Sequence, residues 1–162
     1  MARGDIEVKK ADTIFNELER LRQAISRRAY DLFRNGGTLG GALGDWLTAE
    51  DEIISKPAVE LRQKDSQFEV LAALPGIEAK DLDVQITSED VLIKAETSHE
   101  HAADMGTVHV CEFETGKIFR SIHFPEKIDP DSAKAEYRNG MLRLTAAVAK
   151  ASTAQKVEIK AA

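Results

Sequence analysis

One short turn constrains the fold of this chain more than any other feature of its sequence. Asn139 and Gly140 stand between two runs, 135–137 and 141–144, in which apolar and polar residues are interleaved. Asn-Gly is the preferred pair for a two-residue hairpin turn, because both turn positions need a positive φ. Strand side chains alternate between two faces, so each run can bury one face and expose the other. The pattern therefore predicts an antiparallel hairpin.

A period of two residues continues through most of the region 56–148. Alternating apolar residues begin at Phe68 and Leu82, and further β-rich runs begin at Val108 and Ile118. Short strands at this spacing, with few helical intervals, are typical of an antiparallel, immunoglobulin-like β-sandwich. A sandwich of roughly ninety residues buries only about 60% of its unfolded surface and leaves strand edges open. We therefore expect a mainly β domain that needs partner chains.

A helical period comes before the β-rich region. Apolar residues recur at helical spacing from Ile14 to Leu32, and charged residues fill most of the positions between them. Either Asp12 or Thr13 can cap the start of this helix, because both side chains accept hydrogen bonds from free backbone N–H groups. The run 35–37, Asn-Gly-Gly, is expected to end it.

A second, shorter helix is predicted after a glycine-rich turn. Its amphipathic stretch runs from Asp45, the expected N-cap, to Ile54. The two helices have too little apolar area to be stable alone, so the hairpin they form must pack on another surface. Residues 1–55 are therefore interpreted as a helical N-terminal arm.

The C-terminal residues 149–162 form a third region, an extended tail. Val157 and Ile159 alternate with Glu158 and lie beyond an alanine-rich stretch. In an extended conformation both apolar side chains point to one side, which lets them dock into a groove on another subunit. The alternative is a terminal strand that completes the chain's own sheet. The candidate groove residues at the edge of the sandwich are Val84, Ile86 and Ala135.

Composition excludes several classes of function. A net charge of −6 argues against a nucleic-acid partner, because duplex binding needs a clustered basic face. The sequence has no apolar run long enough to span a bilayer and no apolar signal core at its start, so we expect a cytoplasmic protein. Its one cysteine, Cys111, cannot form an internal disulfide and fits a reducing compartment.

The histidines near Cys111 raise the question of a metal site. His99, His101 and His109 are close to Cys111 in sequence. Closed zinc sites usually show tighter paired spacing and more than one thiolate, so we expect solvated loop residues and no metal. A nucleophilic Cys-His pair would need an orienting acid, and no phosphate loop or dinucleotide fingerprint is present. No enzyme activity and no cofactor are predicted, and a metal-binding or redox protein is the remote alternative.

Four segments, in this order along the chain, match the motifs of one family. They are Ala73-Leu74-Pro75-Gly76-Ile77, Gly116-Lys117-Ile118-Phe119-Arg120-Ser121-Ile122-His123-Phe124-Pro125, Ala135-Glu136-Tyr137-Arg138-Asn139-Gly140-Met141-Leu142 and Val157-Glu158-Ile159. Together they resemble the α-crystallin domain and tail of small heat-shock proteins. The third segment is followed by the run 146–148, Ala-Ala-Val, where the family usually has Leu-Pro-Lys. The region 28–50 resembles a short helical module of bacterial proteins, which suggests a bacterial source.

The resemblance implies an ATP-independent holdase chaperone of the stress response. Such a protein binds partly unfolded clients, keeps them from aggregating and assembles from dimers into higher homo-oligomers. In bacterial members, a strand carried on a long loop pairs with the neighbour's sheet. Here the loop would be 97–107 and the strand about 108–113, with Val108 and Val110 at the dimer interface. The alternative is a co-chaperone-like adaptor with the same sandwich that binds folded partners, but such an adaptor needs no Val-x-Ile motif.

Arg120 is a further candidate for the dimer interface. It shares strand parity with Ile118 and Ile122, so its stem should lie on an apolar face. A guanidinium there must be satisfied by carboxylates or carbonyls, and Glu112 and Glu114 are candidate partners. The alternative is an arginine whose head group reaches solvent.

The large apolar side chains of the two predicted helices are candidates for client binding. They can be buried at rest and exposed on dissociation, and they can equally be plain core between arms of the oligomer. These candidates are Phe15, Leu18, Leu21, Ile25, Phe33, Trp46 and Leu47.

Overall fold

The structure, a computed structural model, describes residues 4–102, 104, 106–113 and 115–150. Within these residues the chain forms two α-helices, two short 3-10 helices and ten strands. The α-helices are α1, Phe15–Arg34, and α2, Gly41–Ile53. The strands are β1 Gly4–Ile6, β2 Val8–Lys10, β3 Ile54–Ser55, β4 Val59–Lys64, β5 Gln67–Ala73, β6 Asp83–Ile86, β7 Asp90–Thr97, β8 Gly116–His123, β9 Lys134–Arg138 and β10 Met141–Ala147.

The described strands form two five-stranded sheets that pack face to face. Their orders are β1-β9-β10-β5-β4 and β2-β6-β7-β8-β3. The predicted mainly β sandwich is therefore confirmed. Its pairing is not wholly antiparallel, because β2 runs parallel to β6 and β3 runs parallel to β8. Both are short edge strands from the N-terminal region that no hairpin joins to their neighbours, so no tight turn imposes an antiparallel direction.

The sandwich core follows the alternation seen in the sequence. On β5 and just beyond it, Phe68, Val70, Ala72 and Leu74 are all buried, while the residues between them are only partly covered. The rings of Phe68 and Phe124 lie 5.4 Å apart. Full burial of an aliphatic or aromatic side chain contributes about 1.5–3 kcal/mol relative to exposure, so these residues hold the two sheets together.

The predicted Asn-Gly hairpin forms between β9 and β10. Asn139 has a φ of 52° and Gly140 a φ of 76°, which is the left-handed pair that this turn type requires. A Cβ atom on Gly140 would lie 3.2 Å from the Cα of Pro75, so the close approach of the 75–76 turn also favours glycine. Nearby, the Tyr137 hydroxyl lies 2.7 Å from the carbonyl oxygen of Leu74, which ties β9 to the end of β5.

Helix α1 lies where the period predicted it. The expected cap by Asp12 or Thr13 is wrong, because the residue at the N-cap is Ile14 and no side chain caps the helix. The Thr13 hydroxyl instead accepts a hydrogen bond from the backbone N–H of Phe15 at 3.0 Å, in the turn that leads into the helix. Asn35 caps the other end, and Gly36 and Gly37 follow with φ values of 108° and 71°. Neither this helix nor α2, in the part of the chain that is described, is long and apolar enough to cross a membrane.

The expected role of Asp45 as an N-cap is wrong. Helix α2 begins at Gly41, a full turn earlier, after Gly40 has adopted a φ of 110°. Asp45 is inside the helix and almost fully buried, and its carboxylate accepts hydrogen bonds from the backbone N–H and the hydroxyl of Thr38, at 2.6 and 2.8 Å. The carboxylate therefore holds the loop between the helices, a tertiary role that local spacing does not reveal.

The first two strands were not expected. The region 1–55 contains, besides the predicted helices, a segment that belongs to the sandwich: β1 pairs with β9 and β2 pairs with β6. In this register Ile6 lies opposite Ala135 and Val8 opposite Val84. The predicted C-terminal tail motif lies outside the described residues.

Candidate interaction surfaces

The three residues predicted to line the tail groove lie at one end of the sandwich. Val84 and Ile86 are fully buried and Ala135 nearly so. Their strands, β6 and β9, belong to different sheets, and each has an edge that is not joined by a hairpin. Both of these edges are paired with the chain's own N-terminal residues.

We call residues 4–10 the N-terminal segment. It crosses from one sheet to the other, because Ile6 pairs in the sheet of β9 and Val8 pairs in the sheet of β6. Both side chains are partly buried against the sandwich core, whereas Glu7 between them is exposed. Just after the segment, the N–H of Ala11 donates to the carbonyl oxygen of Ile86 at 2.9 Å. The segment thus covers the groove that was predicted for the tail.

Charge pairs fix the N-terminal segment to the sandwich. The Lys9 ammonium lies 2.9 Å from one carboxylate oxygen of Asp83, and Lys94 lies 3.0 Å from the other. Partial burial of Asp83 raises its pKa, but hydrogen bonds from Lys9, Lys94 and Gln85 outweigh this and hold the pKa below its ordinary value. Lys10 forms a further ion pair with Asp131. These contacts orient the segment in one register.

Arg120 lies on the face that strand parity predicted. It pairs with Ile93 in the sheet and lies between Ile118 and Ile122, which belong to the sandwich core. Its Nε atom is buried and has no hydrogen-bond partner among the described residues. Glu112 is exposed in the loop before β8, and Glu114 lies outside the described residues. The predicted pairing of Arg120 with a carboxylate therefore stays a prediction.

The loop between β7 and β8 is closed at its base and exposed beyond it. The N–H of Gly116 donates to the Thr97 hydroxyl at 3.0 Å. Residues 106–113 form no strand with the described part of the single chain, and Val108 and Val110 are exposed, Val110 by 81%. The prediction for these residues concerned pairing with a neighbouring chain, so it stays a prediction.

This loop brings together three side chains that sequence spacing had left apart. The ligand atoms of His99, His101 and Cys111 all lie within 4.8 Å of one another. The ring of His99 also stacks on Phe113, with ring centres 4.6 Å apart. All three side chains are exposed, as expected for loop residues. They nevertheless lie close together, which their spacing in the sequence did not indicate.

The helical hairpin packs on the outer face of β8, so in this structure the sheet is the surface on which the two helices were expected to pack. Ile25 of α1, Ala49 of α2 and Ile54 are buried together, and Phe119 of β8 and Trp46 pack against them. The guanidinium of Arg28 joins the two helices through Glu52 at 2.5 Å and holds the pKa of that carboxyl below its ordinary value. The hairpin therefore has one apolar face directed at the sheet.

The predicted client-binding residues divide between that docked face and the solvent. Ile25 is buried, and Leu21 and Trp46 are partly buried in the docking cluster. The remaining candidates are exposed: Phe15 by 66%, Phe33 by 64%, Leu47 by 51% and Leu18 by 36%. A cleft of about 460 Å³ separates part of α1 from β7 and β8, so the hairpin does not seal the sheet completely.

The fold is thus a two-sheet sandwich with a helical hairpin docked on one sheet. Residues 60–160 match the model of the Hsp20/alpha crystallin family. The chain therefore belongs to this family, the small heat shock proteins, as its motifs suggested. Membership supports a chaperone role in the stress response.

Individual relatives and solved structures agree with this assignment. The chain is 33% identical over 107 residues to a probable 15 kDa heat shock protein of Leptospira interrogans, covering 66% of this chain and 80% of the relative. It is 31% identical over 99 residues to the alpha-crystallin of Mycobacterium tuberculosis, covering 60% and 66%. Heat shock protein 16.0 from Schizosaccharomyces pombe superposes with a TM-score of 0.55 at 28% identity, covering 65% of this chain and 99% of that structure. A small heat-shock protein from Xylella fastidiosa gives a TM-score of 0.52 at 26% identity, covering 65% and 96%.

Proposed function

We propose that this chain is an ATP-independent holdase that binds partly unfolded proteins in the cytoplasm and prevents their aggregation. The observation that supports this most directly is the division of the helical hairpin into an exposed apolar face and a docked one. Phe15, Phe33 and Leu47 offer apolar contact area at rest. Ile25 and Trp46 add to it when the hairpin leaves β8. Exposed apolar side chains bind the same kind of surface in an unfolding client.

Release of the hairpin is energetically accessible. Its docking cluster contains three buried residues, Ile25, Ala49 and Ile54, far fewer than the sandwich core. At about 1.5–3 kcal/mol for each large side chain, the apolar gain on docking is a few kcal/mol before ordering costs. Elements with small interfaces open before the rest of the fold, so heating frees the hairpin while the sandwich stays folded.

Suppression of client aggregation tests the holdase activity. A model client heated with a near-stoichiometric amount of the chain should scatter less light, equally with and without ATP. Phe33→Ser combined with Leu47→Ser should weaken this protection. The matched control is Met141→Ser, which removes an exposed apolar side chain from β10 instead of the hairpin. No protection at any ratio, or strict dependence on ATP, would contradict the proposal.

We propose that the chain forms dimers by lending the strand 108–113 to a neighbour's sheet. The exposed Val108 and Val110 support this, because a strand with apolar side chains is stable only when it is paired and covered. The Nε of Arg120 also supports it: the atom is buried and has no partner among the described residues, so it can donate to one supplied by another chain.

Solution mass tests the dimer. Removal of residues 97–113 should give a monomer or a misfolded sandwich. Val110→Asp should weaken the dimer without removing any backbone, because it places a charge in the proposed interface. Leu39→Asp, at a fully exposed position beside the helices, is the matched control. A well-ordered dimer of unchanged affinity in both the deletion and Val110→Asp would contradict strand exchange.

We propose that the tail residues Val157 and Ile159 hold dimers together in larger oligomers by docking at Val84, Ile86 and Ala135. Two aliphatic side chains contribute on the order of 1.5–3 kcal/mol each before ordering costs, which suits a reversible contact. Many such contacts in one assembly add by avidity.

Substitution of both tail residues by serine tests this docking. Val157→Ser with Ile159→Ser should shift large oligomers towards dimers in light scattering, whereas Glu158→Ser should not. An unchanged mass in the double variant would refute the contact. If the tail instead completed its own subunit's sheet, the double variant would lower the thermal stability of the dimer.

A further inference from the structure

The two ends of the chain carry the same short pattern. Ile6-Glu7-Val8-Lys9 and Val157-Glu158-Ile159-Lys160 both consist of a β-branched residue, glutamate, a second β-branched residue and lysine. In an extended segment the first and third residues lie on one face, and glutamate lies on the other. The two segments therefore present the same apolar pair and the same charges to any groove that accepts one of them.

The N-terminal copy already lies at the predicted tail groove. Ile6 pairs opposite Ala135 and Val8 opposite Val84, and Lys10 lies opposite Ile86. These are the three residues proposed to receive the tail. The segment also uses the backbone edges of β6 and β9, which an added strand would need for its hydrogen bonds.

The charge pattern matches as well. Lys9 follows Val8 and forms its ion pair with Asp83 at 2.9 Å. A tail bound in the same direction would bring Lys160, which follows Ile159, to the same carboxylate. Asp83 is also held by Lys94, so its charge stays in place when the N-terminal segment leaves.

We propose that the N-terminal segment is an internal occupant of the tail groove, and that the tail of a second copy docks only after this segment has been displaced. The proposal rests on the tail docking proposed above. One groove cannot hold both segments, because each needs the same apolar positions and the same strand edges.

Tethering determines which segment prevails in an isolated subunit. A segment linked to its own groove is present at an effective concentration in the millimolar range, so it outcompetes a free tail at micromolar concentration. When a groove is open for only a fraction of the time, the apparent association constant of an added ligand equals the intrinsic constant multiplied by that fraction. Removal of the internal occupant should therefore tighten tail binding.

A labelled peptide of residues 151–162 tests the competition by fluorescence anisotropy. The receiving protein is the full chain with Val157→Ser and Ile159→Ser, so that its own tails do not compete. Adding Ile6→Ser and Val8→Ser should tighten peptide binding by at least about tenfold. Leu39→Ser with Leu43→Ser, two exposed apolar positions away from the groove, is the matched control and should change nothing. The peptide with serines at 157 and 159 measures binding that does not depend on the apolar pair.

The outcomes separate this proposal from the one on which it rests. Equal peptide affinity with and without Ile6→Ser and Val8→Ser overturns the internal occupant and leaves tail docking intact. No specific binding to either protein overturns tail docking, and the competition with it. Lys9→Glu provides a second variant if the serine pair does not fold. It keeps both apolar side chains and replaces the attraction to Asp83 by repulsion, so it should also tighten peptide binding.

A separate observation concerns the loop between β7 and β8. His99, His101 and Cys111 supply two imidazoles and one thiolate within 4.8 Å of one another, a donor set suited to Zn²⁺. Zinc bonds of about 2.0–2.1 Å to nitrogen and 2.3 Å to sulfur place two nitrogens and one sulfur of a tetrahedral site roughly 3.3–3.6 Å apart. All three side chains are exposed, so small rotamer changes can close the remaining distance.

The geometry points to a second binding site, in which these three side chains hold one Zn²⁺ and water takes the fourth position. This site belongs to the conformation in which residues 108–113 stay with their own chain, because Cys111 leaves His99 and His101 when the strand is exchanged. Titration with Zn²⁺ under reducing conditions should give one ion per chain, and Co²⁺ should give a thiolate charge-transfer band. His99→Asn, His101→Asn and Cys111→Ser should each weaken binding at least tenfold. His109→Asn, in the same loop but outside the cluster, is the control. Absence of binding at micromolar metal, or equal binding by the three variants and the control, would overturn the site.

Discussion

Replacement of Asp45 by alanine should release the helical hairpin while the sandwich stays folded. The buried carboxylate is the side-chain link between the inter-helix loop and α2, through the backbone N–H and hydroxyl of Thr38 at 2.6 and 2.8 Å. The backbone adds a longer hydrogen bond, from the N–H of Gly41 to the carbonyl oxygen of Thr38 at 3.4 Å. Without it the loop keeps, among the described residues, only backbone hydrogen bonds to the helices. The docking of Ile25 and Ala49 on Phe119 depends on the correct angle between the two helices.

The size of the effect follows from the contacts. Two hydrogen bonds to a charged acceptor contribute about 1.5–3 kcal/mol each. The other carboxylate oxygen of Asp45 is buried and has no partner among the described residues, so it destabilises the fold. Removal of this oxygen relieves a desolvation penalty of about 1–3 kcal/mol. The net loss is about 0–5 kcal/mol, with its middle near 2–3 kcal/mol, which is comparable with the docking energy of the whole hairpin.

Trp46 provides the assay. It is the only tryptophan in the sequence and lies in the docking cluster, so its fluorescence reports hairpin docking, whereas circular dichroism of the strands reports the sandwich. In Asp45→Ala the fluorescence transition should occur at lower temperature than in the wild type, and the strand signal should melt as before. Protection of a heated client should begin at correspondingly lower temperature.

Asp51→Ala is the matched control, since it removes an exposed carboxylate from the same helix. It should leave both transitions unchanged. If Asp45→Ala and Asp51→Ala melt alike, the carboxylate does not hold the hairpin. If Asp45→Ala releases the hairpin without changing client protection, the docked face is not a client-binding surface.

Three further predictions follow from single contacts. Arg120→Ala should raise the dissociation constant of the dimer in sedimentation experiments, whereas Arg138→Ala, an exposed arginine on β9, should not. Tyr137→Phe should lower the free energy of unfolding by about 0.5–1.5 kcal/mol in urea, because the hydroxyl loses its bond to the Leu74 carbonyl. Asp83→Asn should be less stable than the wild type at neutral pH. Because the pKa of Asp83 is lowered from 3.8 in the folded chain, its contribution is present above that value, and the difference should disappear as pH falls through the lowered pKa.

Local patterns predicted the elements whose own residues decide their structure. The alternation around Phe68 and the Asn139-Gly140 turn act over a few residues, and both formed as expected. The period of α1 and its glycine-rich end likewise needed no distant partner. At these positions local propensity and burial favour the same conformation, so the sequence alone predicted the secondary structure correctly.

Distant contacts decided the features that sequence missed. The N-terminal segment has only two three-residue strands, and its conformation depends on edges of β6 and β9 far along the chain. Its signal, the alternation of Ile6 and Val8 with charged residues, was present but too short to stand out. Asp45 looked like a cap because its partner, Thr38, is recognised only once the loop has folded.

The candidate sites show the same division. Strand parity placed Arg120 on the apolar face, because parity is a local property. Spacing alone argued against a group formed by His99, His101 and Cys111, since the loop folds back on itself through contacts that no motif records. Pairing between chains, which the dimer and tail proposals require, is a property of two molecules and lies beyond what one chain's pattern determines.

The groove between β6 and β9 also sets a stoichiometry. Each chain offers one such groove and two segments with the same β-branched, glutamate, β-branched, lysine pattern. If the tail docks as proposed, an assembly of n chains has n grooves and 2n segments, so at least n segments stay unbound in every arrangement. Under the same proposal, docking of a tail exchanges one occupant for another and leaves the number of filled grooves unchanged. The balance between small and large assemblies then depends on the difference between the docking free energies of the N-terminal segment and of the tail. A change of about 1.4 kcal/mol in this difference changes the ratio of the two occupants tenfold at each groove.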